Sequence, residues 1–263
     1  MKIDRNAKRI YVTLRVNLTD GGEEGLSCYE KDYDPDPKFR QMGTVCPWDK
    51  IPASEISLNN PIIKVRTRKF QDLEKLALKG IKKYWSREHS YSLKLNNEKF
   101  EVTTTPINTI HNSLNPLNLI YNTNGNWGRS GNAGILGKIY YNIGYCNFLA
   151  WYEPSFFNDW GYLDVAKHKV DEDFMYTSAH ELGHSILKAY GSTLYSFTHD
   201  DSSKIWQTPN GKKSYIKEKS LGEINLMHYY KDDPHQSQYD YNLIIAQEND
   251  VLGLIWLTKI KIK

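Results

Sequence analysis

His180-Glu181-Leu182-Gly183-His184 spells HExxH. On a helix, residues i and i+4 lie one above the other on a single face, about 40° apart around the axis. Two imidazoles placed this way can share one Zn²⁺. Glu181, about 100° around from His180, reaches a water bound to that metal. Zinc lowers the pKa of the water to about 7, so a carboxylate can accept its proton at neutral pH. The same acid then protonates a leaving amine. This is the chemistry of a zinc peptidase, with Zn²⁺ as cofactor and a protein or peptide as substrate.

Catalytic zinc takes three protein ligands and keeps a fourth position for water. The extended metzincin pattern has Gly at the third and His at the sixth position after the second His. Those positions hold Leu187 and Tyr190, which argues against that branch. The downstream candidates are His199, Asp200, Asp201, Glu223, His228 and His235. Glu223 stands beside Ile224, Leu226 and Met227. A carboxylate among such neighbours must be paired or ligated, because burying a bare charge costs several kcal/mol. Glu223 is therefore favoured as the third ligand over His199, with a capping or salt-bridging glutamate as the other use of that residue.

A helix must carry the motif, and the flanks supply one over 174–190. Asp171 or Asp173 can cap it, Phe174, Leu182, Ile186 and Ala189 form its inward stripe, and Gly191 sits where a terminating glycine belongs. Elsewhere Ile10, Val12, Leu14 and Val16 alternate as in a strand. Phe70, Leu73, Ala77, Ile81 and Tyr84 form one helical stripe over 67–86. YSLKL and KFEVTTT flank Asn96-Asn97-Glu98 as a hairpin, and 117–123 and 137–144 read as further strands around a Gly/Asn-rich loop. Residues 18–60 read mostly as loops, 62–65 as a short strand, 145–170 as irregular, and 249–258 as a helix capped by Asn249 or Asp250. The expected fold is α+β and zincin-like, with the HExxH helix on a mixed, largely antiparallel sheet. Residues 1–66 are expected as an extension packed on a catalytic domain over 67–263.

Composition sets outer limits. Among 263 residues, 34 Lys and Arg oppose 31 Asp and Glu, for a net charge of +3. The basic residues are dispersed, which excludes a nucleic-acid footprint. Mean hydropathy is −0.63, and no apolar run approaches the ~18–20 residues of a membrane span. The first residues carry five charges and no apolar core, unlike an ordinary signal peptide. Aromatic residues make up 13%, which suits a core, a peptide groove or a glycan groove alike. Cys28, Cys46 and Cys146 form no CxxC pattern. Free thiols are the favoured state, with a Cys28–Cys46 bond as the alternative. Ser202 and Ser203 lie near His199, but no GxSxG supports a serine hydrolase.

Four stretches together, SAHELGHSILKAYG (178–191), YSFTH (195–199), GEINLMHYY (222–230) and DVLGLIWLTKI (250–260), resemble a bacterial family. It comprises the zinc metallopeptidase effector domains at the C-termini of some type VI secretion spike proteins, also found as freestanding cargo. KYWSR (83–87), RSGN (129–132) and GKIYYN (137–142) are similar too, so the likeness spans roughly 67–262. The resemblance implies His180, His184 and Glu223 as zinc ligands and Glu181 as catalytic base. His199 matches a histidine of the family pattern. That leaves it open as a catalytic residue stabilising the oxyanion or as a partner of a zinc ligand. Tyr195, Tyr229 and Tyr230 are further candidates for the stabilising role. Asn225 and His228 stand where an acidic and a basic residue are expected. The resemblance also implies an antibacterial toxin, made in the cytoplasm, delivered by a secretion spike or chaperone, acting in a recipient's periplasm and matched by an immunity protein. A rival function is a non-catalytic module that binds glycan or cell wall through its aromatics. Another is a zinc hydrolase of peptidoglycan cross-links.

Overall fold

Ile10, Val12, Leu14, Val16 and Leu18 are buried, and the residues between them face outward. This alternation builds one long strand on which the main sheet assembles. The computed structural model describes residues 1–34, 40–132, 137–149, 158–167, 169–198, 223–227 and 241–259. In chain order the first strands are β1 (Lys2–Asp4), β2 (Arg9–Glu24), β3 (Tyr29–Asp32) and β4 (Met42–Val45). Helix α1 (Phe70–Trp85) follows, then β5 (Leu93–Leu95), β6 (Glu98–Asn108), β7 (Pro116–Asn122), β8 (Gly125–Asn126) and β9 (Gly137–Asn142). The chain continues with β10 (Gly144–Leu149), β11 (Asn158–Leu163), α2 (Val170–Thr198), β12 (Ile224–Asn225), β13 (Ile244–Ile245) and α3 (Glu248–Lys259).

The fold is α+β. The main sheet runs β5-β6-β2-β7-β9, with β1 also on β2. The first half of β2 pairs with β6 and its second half with β7, both in parallel. β7 and β9 are parallel as well, while β5–β6 and β1–β2 are antiparallel. The sheet is mixed as expected, but its inner pairs are parallel, not antiparallel. Parallel neighbours need long crossovers, and here the β2–β6 connection carries α1. The strand read over 9–17 extends through Glu24 and occupies the sheet interior. A bulge between Asp20 and Glu23 lets it continue against β7.

α1 buries Leu73, Ala77, Ile81 and Tyr84, the face anticipated from its periodicity. Asn96 and Asn97 both have positive φ, 48° and 67°, as a two-residue hairpin turn requires. Several expectations are corrected. Residues 62–65 are not a strand. Residues 145–149 and 158–163, read as irregular, belong to β10 and β11, which pair antiparallel. α2 does not stop at Gly191 but runs to Thr198. A glycine inside a helix costs only about 1 kcal/mol, and no proline lies between Gly191 and Thr198 to end the helix. α3 begins at Glu248, so Asn249 and Asp250 lie inside it rather than capping it. No helix among the described residues is long and apolar enough to cross a membrane.

Cys28 and Cys46 are joined by a disulfide, which closes the open end of the β3–β4 hairpin. The favoured free-thiol state is thus corrected for this pair, while Cys146 is a buried free thiol pushed up to about 12 by desolvation. Linking residues 18 apart removes loop entropy from the unfolded chain, worth about 3 kcal/mol. Replacing both cysteines by serine is expected to lower the unfolding free energy by about that amount, read by denaturant titration against the oxidised protein.

Candidate active site

The motif helix is held from its first turn. Asp171 near the start of α2 accepts two hydrogen bonds from Arg68 Nη2, at 2.8 and 2.6 Å, and one from the Tyr141 hydroxyl at 2.7 Å. A carboxylate there also suits the positive end of the helix dipole. Arg68 precedes α1 and Tyr141 lies on β9, so one carboxylate ties α2 to both neighbours. Phe174, Ala179, Leu182 and Ile186 are buried against α1 and the sheet. Midway along, Trp85 Nε1 donates to the Ala179 carbonyl at 3.0 Å. The Gly/Asn-rich loop adds a clamp, since Asn132 Nδ2 donates to the Glu181 carbonyl and to Ser185 Oγ, both at 2.7 Å.

His180, Glu181 and His184 are all buried. The two imidazoles stand edge to face with centroids 5.0 Å apart. His180 Nδ1 lies 2.8 Å from the Leu226 carbonyl. A carbonyl only accepts, so Nδ1 carries the hydrogen and Nε2 presents the lone pair. This is how a metal-binding histidine is oriented: the far nitrogen donates and the near one is left to ligate. Burial pushes the Glu181 carboxyl up to about 8, with Arg129 and the Asn132 backbone acting in the opposite direction. Glu181 Oε2 is buried and has no hydrogen-bond partner among the described residues. A buried acceptor of this kind costs free energy unless something fills the role of donor or cation. The two imidazoles and this carboxylate therefore fit a zinc ion and its water.

Glu223 forms the salt bridge anticipated as its other use. Its Oε1 accepts from Arg87 Nη2 at 2.8 Å, and both side chains are buried. Among the described residues no set of three His, Cys, Asp or Glu side chains is arranged to hold a metal. His199, Asp200, Asp201, His228, Tyr229, Tyr230 and His235 lie outside the described residues, and of Tyr195 only the backbone, within α2, is described. Asn225 is on β12, where its Oδ1 accepts from the Met227 amide at 2.9 Å.

Three contributors were not singled out from sequence. The Leu226 carbonyl orients His180, Asn132 clamps the motif helix, and Arg87 takes Glu223. RSGN, KYWSR and GEINLMHYY, quoted for the family likeness, contain Asn132, Arg87 and Leu226 but mark no role for them. The aromatics divide between two roles. Tyr84, Tyr121, Tyr141 and Tyr145 are core. Trp127, Tyr140, Phe148, Phe174 and Tyr241 join Asp173 in lining a cavity of about 310 Å³ along the first half of α2.

No protein-family model, curated protein or solved structure matches this chain.

Proposed function

We propose that the chain is a zincin-like, zinc-dependent metalloendopeptidase. One observation carries this reading: two buried imidazoles, one helical turn apart, beside a buried carboxylate with an oxygen unsatisfied among the described residues. His180 and His184 would hold the metal. Glu223, although paired with Arg87 through Oε1, remains the third-ligand candidate. His199 follows an unbroken α2 whose rise from His184 to Thr198 is about 20 Å, out of reach of a shared metal. Zinc, when bound, supplies an acidified water and polarises a carbonyl. Glu181 takes the proton of the water and passes it to the leaving amine. The aromatic cavity lies at the first turn of α2, about two turns from His180, and suits a substrate side chain.

The resemblance to secreted effectors supports a toxin delivered by a secretion spike and countered by an immunity protein. The Cys28–Cys46 disulfide supports an oxidising working compartment such as the periplasm.

The test is zinc content together with anomalous scattering from a crystal, which names the ligands. About one zinc per chain is expected, with His180→Ala and His184→Ala each losing it and His199→Ala keeping it. Cleavage of casein is expected, and purified sacculi run beside it separate a peptidase from a cross-link hydrolase. A chain that binds no zinc and cleaves neither substrate would overturn the reading in favour of a binding module.

A further inference from the structure

The guanidinium of Arg87 is enclosed just beyond the end of α1, and its backbone is fixed by reciprocal hydrogen bonds with Val102 on β6 (2.8 and 2.7 Å). Its fork spans two strands. Nη2 donates to Glu223, immediately before β12, and Nη1 donates to the Ala246 carbonyl at 2.7 Å, immediately after β13. These strands pair in parallel, and the Leu226 amide donates to the Ile245 carbonyl at 3.0 Å. The Ala246 amide in turn donates to the Tyr84 carbonyl at 2.8 Å, at the end of α1. Leu226, three residues after Glu223, presents the carbonyl that holds His180 Nδ1.

We propose that Arg87 is a positioning residue for His180: by gripping Glu223 and Ala246 together, it sets the Leu226 carbonyl that orients the imidazole. The assignment to a metal ligand rests on the zinc reading above. The hydrogen-bond chain from Arg87 to His180 does not. Stability alone is a poor reason for this arrangement. A buried ion pair replaced by apolar residues of similar volume is often as stable or more so. What an apolar pair does not provide is a planar fork that ties a carboxylate and a carbonyl at fixed angles. The same geometry separates two roles for Glu223. A metal ligand would be released by loss of Arg87, whereas a clamp would be broken.

The test compares wild type with Arg87→Met and with Arg87→Met/Glu223→Gln, in the full chain with and without zinc. The single variant leaves a buried carboxylate uncompensated, so the double variant keeps the test open if the single one fails to fold. In both, zinc affinity by chelator competition is expected to fall about 10- to 100-fold, the usual loss when an outer partner of a metal-bound histidine is removed. In metal-free protein with ¹⁵N-labelled histidine, wild type should show a slowly exchanging His180 Nδ1–H that the double variant loses. A stable double variant with wild-type affinity and an unchanged Nδ1–H overturns the proposal. So does zinc affinity that holds or rises in Arg87→Met. A protein that never binds zinc but loses the Nδ1–H on substitution supports the positioning role and sinks the metal reading instead.

Discussion

Glu181→Gln is expected to leave zinc bound and to slow peptide hydrolysis by roughly a hundred- to ten-thousand-fold, the contribution of a positioned acid–base group. Gln keeps the size and one acceptor of the side chain but can neither take the proton of the water nor return it. Zinc content and cleavage of a quenched peptide, measured on the same sample, separate loss of chemistry from loss of metal. A variant that retains full rate would remove Glu181 from the mechanism. Burial provides a second readout. In metal-free protein the folded carboxyl sits at about 8, well above its ordinary range. A group raised in this way binds its proton more tightly folded than unfolded. Wild-type stability should therefore fall as pH climbs from the ordinary glutamate range to about 8. Glu181→Gln should remove that part of the slope, which denaturation at a series of pH values would show.

Legibility in the sequence depends on which forces act locally. The motif helix, α1 and the 93–108 hairpin declared themselves because apolar periodicity and paired asparagines are read within one element. Yet α2 begins at Val170 and holds Asp171 and Asp173 inside its first turn rather than as caps. The error at Gly191 has the same origin, since a glycine near a helix end signals a stop only when the residues after it cannot stay helical. β10 and β11 were missed because Gly, Asn and Asp interrupt their strand-favouring aromatics in GYCNFL and NDWGYL, so no alternation marks either one. The parallel pairing of β2 joins Arg9 to Glu101, and no local pattern reports a partner so distant. At the site, the HExxH residues were legible and the residues around them were not. Placing Glu223 in an apolar stretch correctly demanded a partner for its charge, but that Arg87, 136 residues away in sequence, is one such partner is decided by the fold. The Leu226 carbonyl has no side-chain signature at all.

Gly80→Ala is expected to destabilise the protein by about 2–3 kcal/mol. Gly80 lies on the buried face of α1, where α1 crosses α2. A Cβ built there would overlap the backbone carbonyl and Cα of Met175. Backbone inside a packed helix cannot swing aside, so the two helices must separate, and overpacking of this kind costs about 1–3 kcal/mol or more. The better helix propensity of alanine returns only about 1 kcal/mol. For a chain of this size the melting temperature should fall by roughly 5–10 °C. Gly183→Ala is the control. Its Cβ would meet the Met227 thioether, with Trp85 Cζ2 at 3.0 Å. An unbranched methionine can repack, so the stability loss there should be smaller. The two variants also differ at the site. Met175 precedes His180 by five residues, and Ala179 between them accepts from Trp85 on α1. Prising α2 from α1 at Gly80 therefore displaces His180 from the Leu226 carbonyl as well. Zinc affinity and melting temperature should fall together in Gly80→Ala, and an unchanged melting temperature would show that the helices do not meet at this glycine.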